Sequence, residues 1–123
     1  MPKKILLVDD NPDILSLLAF KLQDEGYEVT TATNGKQCVE KALEIKPDLI
    51  LLDVMMPIMD GTEAAQEMRN YPETRTIPII FLTALISGTE LAGIIKGEHR
   101  VVSKAIKFPE LFSIIKVALG ETQ

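Results

Sequence analysis

Short, unbroken apolar runs recur along the chain, and most of them stop at a polar residue. The run within Lys3–Val8 ends at a pair of acidic residues, and the run Leu49–Leu52 ends at Asp53 in the same way. Pro78–Leu82 is a third run of this kind, and the shorter pair Val101–Val102 is a fourth. Continuous apolar runs of roughly four to eight residues are typical of parallel strands that are buried on both faces. The pattern therefore predicts a buried parallel sheet.

Between these runs lie segments whose apolar residues recur at the three- and four-residue spacing of a helix. The first helix is predicted to begin after the N-cap type residue Asn11, at Pro12, and to end at Gly26. The alternating segment Tyr27–Ala32 gives one more strand. The other predicted helices are one around Val39–Leu43 that ends before Pro47, one over Glu63–Asn70, a weaker one over Thr89–Lys96, and one over Glu110–Leu119 that is opened by Pro109 and closed by Gly120.

Strand and helix alternate five times, which predicts an α/β fold. We expect a single doubly wound parallel sheet of five strands with five helices, the fourth of them weak or short. The fourth is weak because it contains Gly93, and an interior glycine costs roughly 1 kcal/mol relative to alanine. Periodicity does not give the lateral order of the strands.

Composition narrows the class of protein further. The chain has 123 residues, of which 46% are hydrophobic and 25% charged, as in a folded single domain, here residues 1–123. The single cysteine, Cys38, allows no internal disulfide, and no apolar stretch approaches the ~20 residues of a membrane-spanning helix. The net charge of -5 opposes binding to nucleic acid. We therefore expect a cytoplasmic domain with no membrane or nucleic-acid partner within this chain.

Polar residues that could bind a metal or take part in a reaction follow the predicted strands. The carboxyl ends of parallel strands lie along one edge, so Asp9, Asp10, Asp53, Thr83 and Lys104 are expected on a common rim. Three clustered carboxylates repel one another unless a cation is present, and a site with few oxygen ligands suits Mg²⁺ together with a phosphoryl group. The lysine ammonium and the threonine hydroxyl can contact phosphoryl oxygens. Asp53 can then act as a nucleophile that becomes an acyl phosphate.

The motifs of this rim form an ordered set that extends through nearly the whole chain, from about residue 3 to 119. Together they resemble the receiver domain of two-component response regulators. This resemblance implies a flavodoxin-like strand order of 2-1-3-4-5. The segments that carry it are Val8-Asp9-Asp10-Asn11, Leu52-Asp53-Val54-Met55-Met56-Pro57-Ile58-Met59-Asp60-Gly61, Leu82-Thr83-Ala84 and Ser103-Lys104.

The resemblance also implies a reaction and a metal. Asp53 would accept a phosphoryl group from a sensor histidine kinase or a phosphotransfer protein in a Mg²⁺-dependent reaction. Asp10 and Asp53 would bind Mg²⁺ directly, Asp9 would act through water or orient the metal, and the backbone carbonyl of Met55 would be a further ligand. Such a domain catalyses only its own phosphorylation and dephosphorylation, and is not an enzyme that turns over metabolites.

Lys104 and Thr83 would each contact a phosphoryl oxygen, and the added charge would switch the surface near the fourth helix, fifth strand and fifth helix. The chain departs from the usual receiver pattern at two places. Ala105 replaces the proline that usually follows the lysine, which predicts a trans bond or a rearranged loop. Val101 replaces the usual aromatic residue that turns inward on activation, so that readout is absent.

The sequence allows alternatives for the segment before the fifth strand, for the last helix and for the function. The glycine-containing segment Leu85–Gly97 is either a mobile fourth helix, ordered by phosphorylation or a partner, or a compact one. On the last helix, Ile114 and Val117 either complete a wide core face or form a patch for a homodimer, a kinase or a downstream effector. The rival functions are a pseudo-receiver used only for protein contact, and an aspartate-based hydrolase. The hydrolase normally needs a second acid where Met55 stands.

Overall fold

The computed structural model describes residues 2–84 and 100–121, and these contain five strands and four helices. The strands are β1 (Lys4–Val8), β2 (Glu28–Ala32), β3 (Leu49–Asp53), β4 (Ile79–Thr83) and β5 (Arg100–Ser103). The helices are α1 (Pro12–Asp24), α2 (Gly35–Ile45), α3 (Gly61–Met68) and α4 (Phe108–Ala118), so α4 is the last helix of the sequence prediction. The predicted helix Thr89–Lys96 and the hypothesis on Leu85–Gly97 lie outside the described residues.

All five strands belong to one parallel sheet with the order β2-β1-β3-β4-β5. The predicted fold class and strand order are therefore confirmed. The central strand β3 pairs with β1 on one side and with β4 on the other, which aligns Leu52 with Val8 and with Phe81. In this register the last residues of β1, β3, β4 and β5 reach the same edge of the sheet.

The sheet separates two apolar layers, and β3 contributes to both of them. All five residues of β3 are buried, as the continuous apolar run predicts. Because side chains alternate along a strand, Ile50 and Leu52 pack with α2 and α3, whereas Leu49 and Leu51 pack with α1 and α4. This double burial makes the end of β3 a well-fixed position for the residue that closes it, Asp53.

Capping residues set where two helices begin next to the carboxyl edge. Asn11 precedes α1, and its side chain accepts hydrogen bonds from the backbone N–H groups of Asp13 at 2.9 Å and Ile14 at 3.3 Å. Asp60 and Glu63 form a reciprocal capping box at the start of α3. The helix consequently begins at Gly61, two residues before the predicted Glu63.

None of the helices in the part of the chain that the structure describes has both the length and the apolar character needed to span a bilayer.

Candidate functional site

A cleft of about 540 Å³ opens at the carboxyl edge of the sheet. It lies where β1, β3, β4 and β5 end, so residues far apart in the sequence meet there, as the alternation of strands and helices predicts. The residues that line it are Asp9, Asp10, Asn11, Pro12, Asp53, Met55, Thr83, Ala84 and Lys104. All six residues that were predicted from the sequence as site residues therefore border one cavity.

The three acidic residues of this cleft lie close together. One carboxylate oxygen from each of Asp9, Asp10 and Asp53 lies within 4.8 Å of the others. Asp9 and Asp53 are buried and Asp10 is exposed at the mouth. The Oδ1 atom of Asp9 accepts a hydrogen bond from the backbone N–H of Asn11 at 2.9 Å, which fixes the orientation of this carboxylate.

Lys104 supplies a positive charge to the two buried carboxylates. Its ammonium nitrogen lies 2.8 Å from Oδ2 of Asp9 and 3.3 Å from Oδ1 of Asp53. Burial lowers the pKa of Lys104, but close contact with Asp9 and the charge of Asp53 outweigh this, and the pKa is raised. The ammonium is therefore held in its charged form inside the cleft.

One lysine does not balance the negative charge of this cluster. Burial raises the pKa of Asp53 to about 6, and the neighbouring charge of Asp9 adds to this, although Lys104 opposes it. The Oδ2 atom of Asp9 is buried and, although it faces Lys104, has no partner with hydrogen-bond geometry among the described residues. An oxygen-only donor set that carries more negative charge than Lys104 offsets fits a hard divalent cation such as Mg²⁺.

The replacement of proline by Ala105 does not turn the lysine away from the cleft. No peptide bond in residues 2–84 and 100–121 is cis, so the Lys104–Ala105 bond is trans, which is the first of the two alternatives that the sequence predicts. The backbone N–H of Lys104 donates to the carbonyl of Thr83 at 2.7 Å, and the N–H of Ala105 donates to Oγ of Ser103 at 3.1 Å. These bonds hold the start of the loop against the end of β4. Val101 is half-buried and packs against the core.

Gly61, which the sequence marks only as the last residue of the motif around Asp53, is also in close contact with the site. A Cβ at this position would collide with the backbone carbonyl of Asp53. The backbone N–H of Gly61 also donates to the carbonyl of Val54 at 2.9 Å. The absence of a side chain thus lets the start of α3 rest directly against the strand end that presents Asp53.

The two residues of the predicted patch on α4 differ in exposure. Val117 is 60% exposed, whereas Ile114 is half-buried and packs against the core. Both border a second cleft with Ile79 and Arg100, at the opposite edge of the sheet from the acidic residues. The patch is therefore small and lies away from the site.

Comparison with known proteins assigns the class that this fold and cleft define. The model of the response regulator receiver domain family matches residues 5–116. The chain belongs to this family, whose members are signalling domains of two-component systems.

Two relatives of known class agree with that assignment. The chain is 39% identical to the response regulator PleD of Caulobacter vibrioides over 117 residues, which is 94% of this chain and 26% of PleD. It is 46% identical to the alkaline phosphatase synthesis transcriptional regulatory protein PhoP of Bacillus subtilis over 84 residues, 68% of this chain and 34% of PhoP. The chain thus spans about a third or less of the length of these relatives.

A solved structure adds a metal to the comparison. The receiver domain of a sensor histidine kinase from Pseudomonas aeruginosa PAO1 was crystallised with a magnesium ion coordinated in the active site cleft. It superposes on this chain with a TM-score of 0.87 at 34% identity, over 98% of this chain and 99% of that domain.

Proposed function

We propose that Asp53 accepts a phosphoryl group from a phosphohistidine of a sensor histidine kinase or a phosphotransfer protein, in a reaction that depends on Mg²⁺. The observation that carries this proposal is the position of Asp53 at the end of β3. Its carboxylate lies 3.3 Å from the Lys104 ammonium and within 4.8 Å of two further carboxylates. A carboxylate close to an ammonium and to two further carboxylates supports this proposal, because phosphoryl transfer needs alignment and charge stabilisation above all.

The transfer itself is a displacement at phosphorus. An oxygen of the Asp53 carboxylate attacks the phosphorus atom, so that an O–P bond forms while the P–N bond of the phosphohistidine breaks. The electron pair of the P–N bond goes to the imidazole nitrogen, and the ring is protonated from solvent. In hydrolysis, water attacks the phosphorus atom, inorganic phosphate leaves, and the Asp53 carboxylate is restored.

Four residues would hold the metal. Asp10 and Asp53 would bind Mg²⁺ directly, Asp9 would act through water or orient it, and the backbone carbonyl of Met55 would complete the protein ligands. Exposure of Asp10 at the mouth and the grouping of one oxygen from each of the three carboxylates within 4.8 Å support this set. When bound, Mg²⁺ would offset the charge that the attacking carboxylate and the phosphoryl oxygens bring together.

Lys104 and Thr83 would detect the new phosphoryl group. The ammonium of Lys104 would move from its carboxylate partners to a phosphoryl oxygen, and the Thr83 hydroxyl would contact another. The hydrogen bond of 2.7 Å between the Lys104 N–H and the Thr83 carbonyl couples the two strand ends. A charge of about -1.5 to -2 arriving at this point would therefore act on β5 and on the surface around α4.

Intact-mass measurement after incubation with acetyl phosphate and Mg²⁺ tests this function. We expect an adduct of one phosphoryl group that is absent with EDTA and absent in Asp53→Asn, whereas Asp48→Asn, an acidic residue before β3, keeps it. An adduct that survives Asp53→Asn would refute the assignment of the acceptor. No adduct with any donor would favour a pseudo-receiver that acts through protein contact alone.

A further inference from the structure

The loop between Asp53 and α3 contains a strained turn. Ile58 has a φ of 71°, and the backbone N–H of Met59 donates to the carbonyl of Pro57 at 2.8 Å, which closes a γ-turn around Ile58. A β-branched residue is a poor choice for positive φ, because its Cβ crowds the backbone. Ile58 therefore occupies a position where glycine or asparagine would fold with less strain.

The turn has a structural purpose that does not require the isoleucine side chain. It brings the carbonyl of Met59 to the backbone N–H of Gly35, which donates to it at 2.8 Å, and places the Met59 side chain against the core. The side chain of Ile58 instead is 79% exposed. The fold thus bears the strain of this residue while gaining little apolar burial from its side chain.

A second apolar side chain of the same loop borders the acceptor cleft. Met55 is 69% exposed and lines the cleft, whereas Asp53 at its base is only 4% exposed. In a displacement reaction the attacking oxygen and the phosphorus atom must approach to roughly 3–3.5 Å. A protein that carries the phosphoryl group must then cover the mouth of the cleft, and Met55, three residues before Ile58 in the same loop, borders that cleft. A small donor such as acetyl phosphate needs no such cover.

We propose that Ile58, together with Met55, forms an apolar contact for the protein that donates the phosphoryl group, and that this contact sets the affinity for that donor. The inference rests on the proposed acceptor role of Asp53. The reaction determines the partner, because Met55 borders the cleft through which a protein-bound phosphoryl group must reach the Asp53 carboxylate. When a partner surface covers two apolar side chains that are otherwise exposed to water, the free energy of binding becomes more favourable.

The test compares a protein donor with a small one. The protein donor is the ³²P-labelled phosphohistidine protein that transfers fastest to the unchanged chain, chosen from a panel of purified sensor kinases and phosphotransfer proteins. The small donor is acetyl phosphate with Mg²⁺. The variants are Ile58→Asn and Ile58→Gly, both of which tolerate positive φ, and the control is Val117→Asn, an exposed apolar position at the opposite edge of the sheet.

We expect both Ile58 variants to react with acetyl phosphate within twofold of the unchanged chain and to have an equal or higher melting temperature. With the protein donor, the apparent KM should rise at least fivefold while the rate at saturation stays within twofold, and Val117→Asn should change neither. Three results would overturn the proposal: an unchanged KM, a lower melting temperature, or a panel that never phosphorylates the chain. Loss of the acetyl phosphate reaction in the unchanged chain would instead refute the acceptor role.

Discussion

The ammonium of Lys104 lies 3.3 Å from a carboxylate oxygen of Asp53, although 51 positions of sequence separate the two residues. Parallel pairing of β3 with β4 and of β4 with β5 creates this contact. The buried carboxylates exceed the positive charge that Lys104 provides, and the first predictions follow from that imbalance.

Asp53→Asn should stabilise the metal-free domain at neutral pH. The pKa of Asp53 rises from 3.8 to about 6 on folding, so the folded state binds more protons than the unfolded state between these values. The contribution of this group to stability therefore falls as the pH rises from about 4 to 6. At pH 7 in EDTA we expect the variant to be more stable by about 1–3 kcal/mol in urea unfolding. The difference should shrink below pH 4, and a constant difference across this range would contradict the shift.

Addition of Mg²⁺ should stabilise the unchanged chain. Binding to the folded state alone raises the free energy of unfolding, by about 1.4 kcal/mol when the ion is present at ten times its dissociation constant. Asp10→Asn should lose most of this gain because it removes a proposed ligand at the mouth of the cleft. Asp24→Asn, an exposed acid at the end of α1, is the matched control. Equal Mg²⁺ effects in both variants would place the ion elsewhere.

Lys104→Met should destabilise the domain in EDTA, because two buried carboxylates lose their shared cation. We expect a loss of about 1–3 kcal/mol in urea unfolding, less than for a fully buried pair since Lys104 is partly exposed. Lys107→Met, an exposed lysine just before α4, should change stability by less than about 0.5 kcal/mol. Similar losses in the two variants would mean that the ion pairs of Lys104 contribute nothing specific.

Gly61→Ala should both destabilise the domain and slow its phosphorylation. The added methyl group would meet the backbone carbonyl of Asp53, so either α3 or the end of β3 must move. We expect a loss of about 1–3 kcal/mol and a slower reaction with acetyl phosphate. Gln66→Ala, on the exposed side of the same helix, should leave both quantities unchanged. Normal phosphorylation in Gly61→Ala would show that the position of the acceptor tolerates this shift.

Much of this arrangement can be predicted from the sequence because its causes are local. The apolar run of β3 predicts that the strand is buried. The end of this run at Asp53 predicts that the carboxylate lies at the carboxyl edge of the sheet. The start of α3 also has a local cause, since Asp60 and Glu63 have the spacing of a capping box, although the predicted helix begins at Glu63, two residues after the observed start.

Other features depend on contacts between distant parts of the chain, which no local sequence pattern predicts. The lateral order of the strands came from family resemblance, because alternation of strands and helices allows several orders. The positive φ of Ile58 has no sequence signal, since a β-branched residue argues against that conformation. The turn forms because Met59 is held by Gly35 and by the core, and tertiary contacts override the local preference there.

The backbone hydrogen bond from Gly35 to Met59 fixes the course of the loop without using the side chains that the loop exposes. Its anchorage requires no particular side chain at Met55 or Ile58, so these positions can be exchanged while the backbone keeps its course. If Met55 and Ile58 form the proposed donor contact, a library randomised at these two codons would vary the choice of phosphodonor and leave the proposed acceptor, Asp53, in place. Two surface side chains would then decide which donor the domain receives its phosphoryl group from.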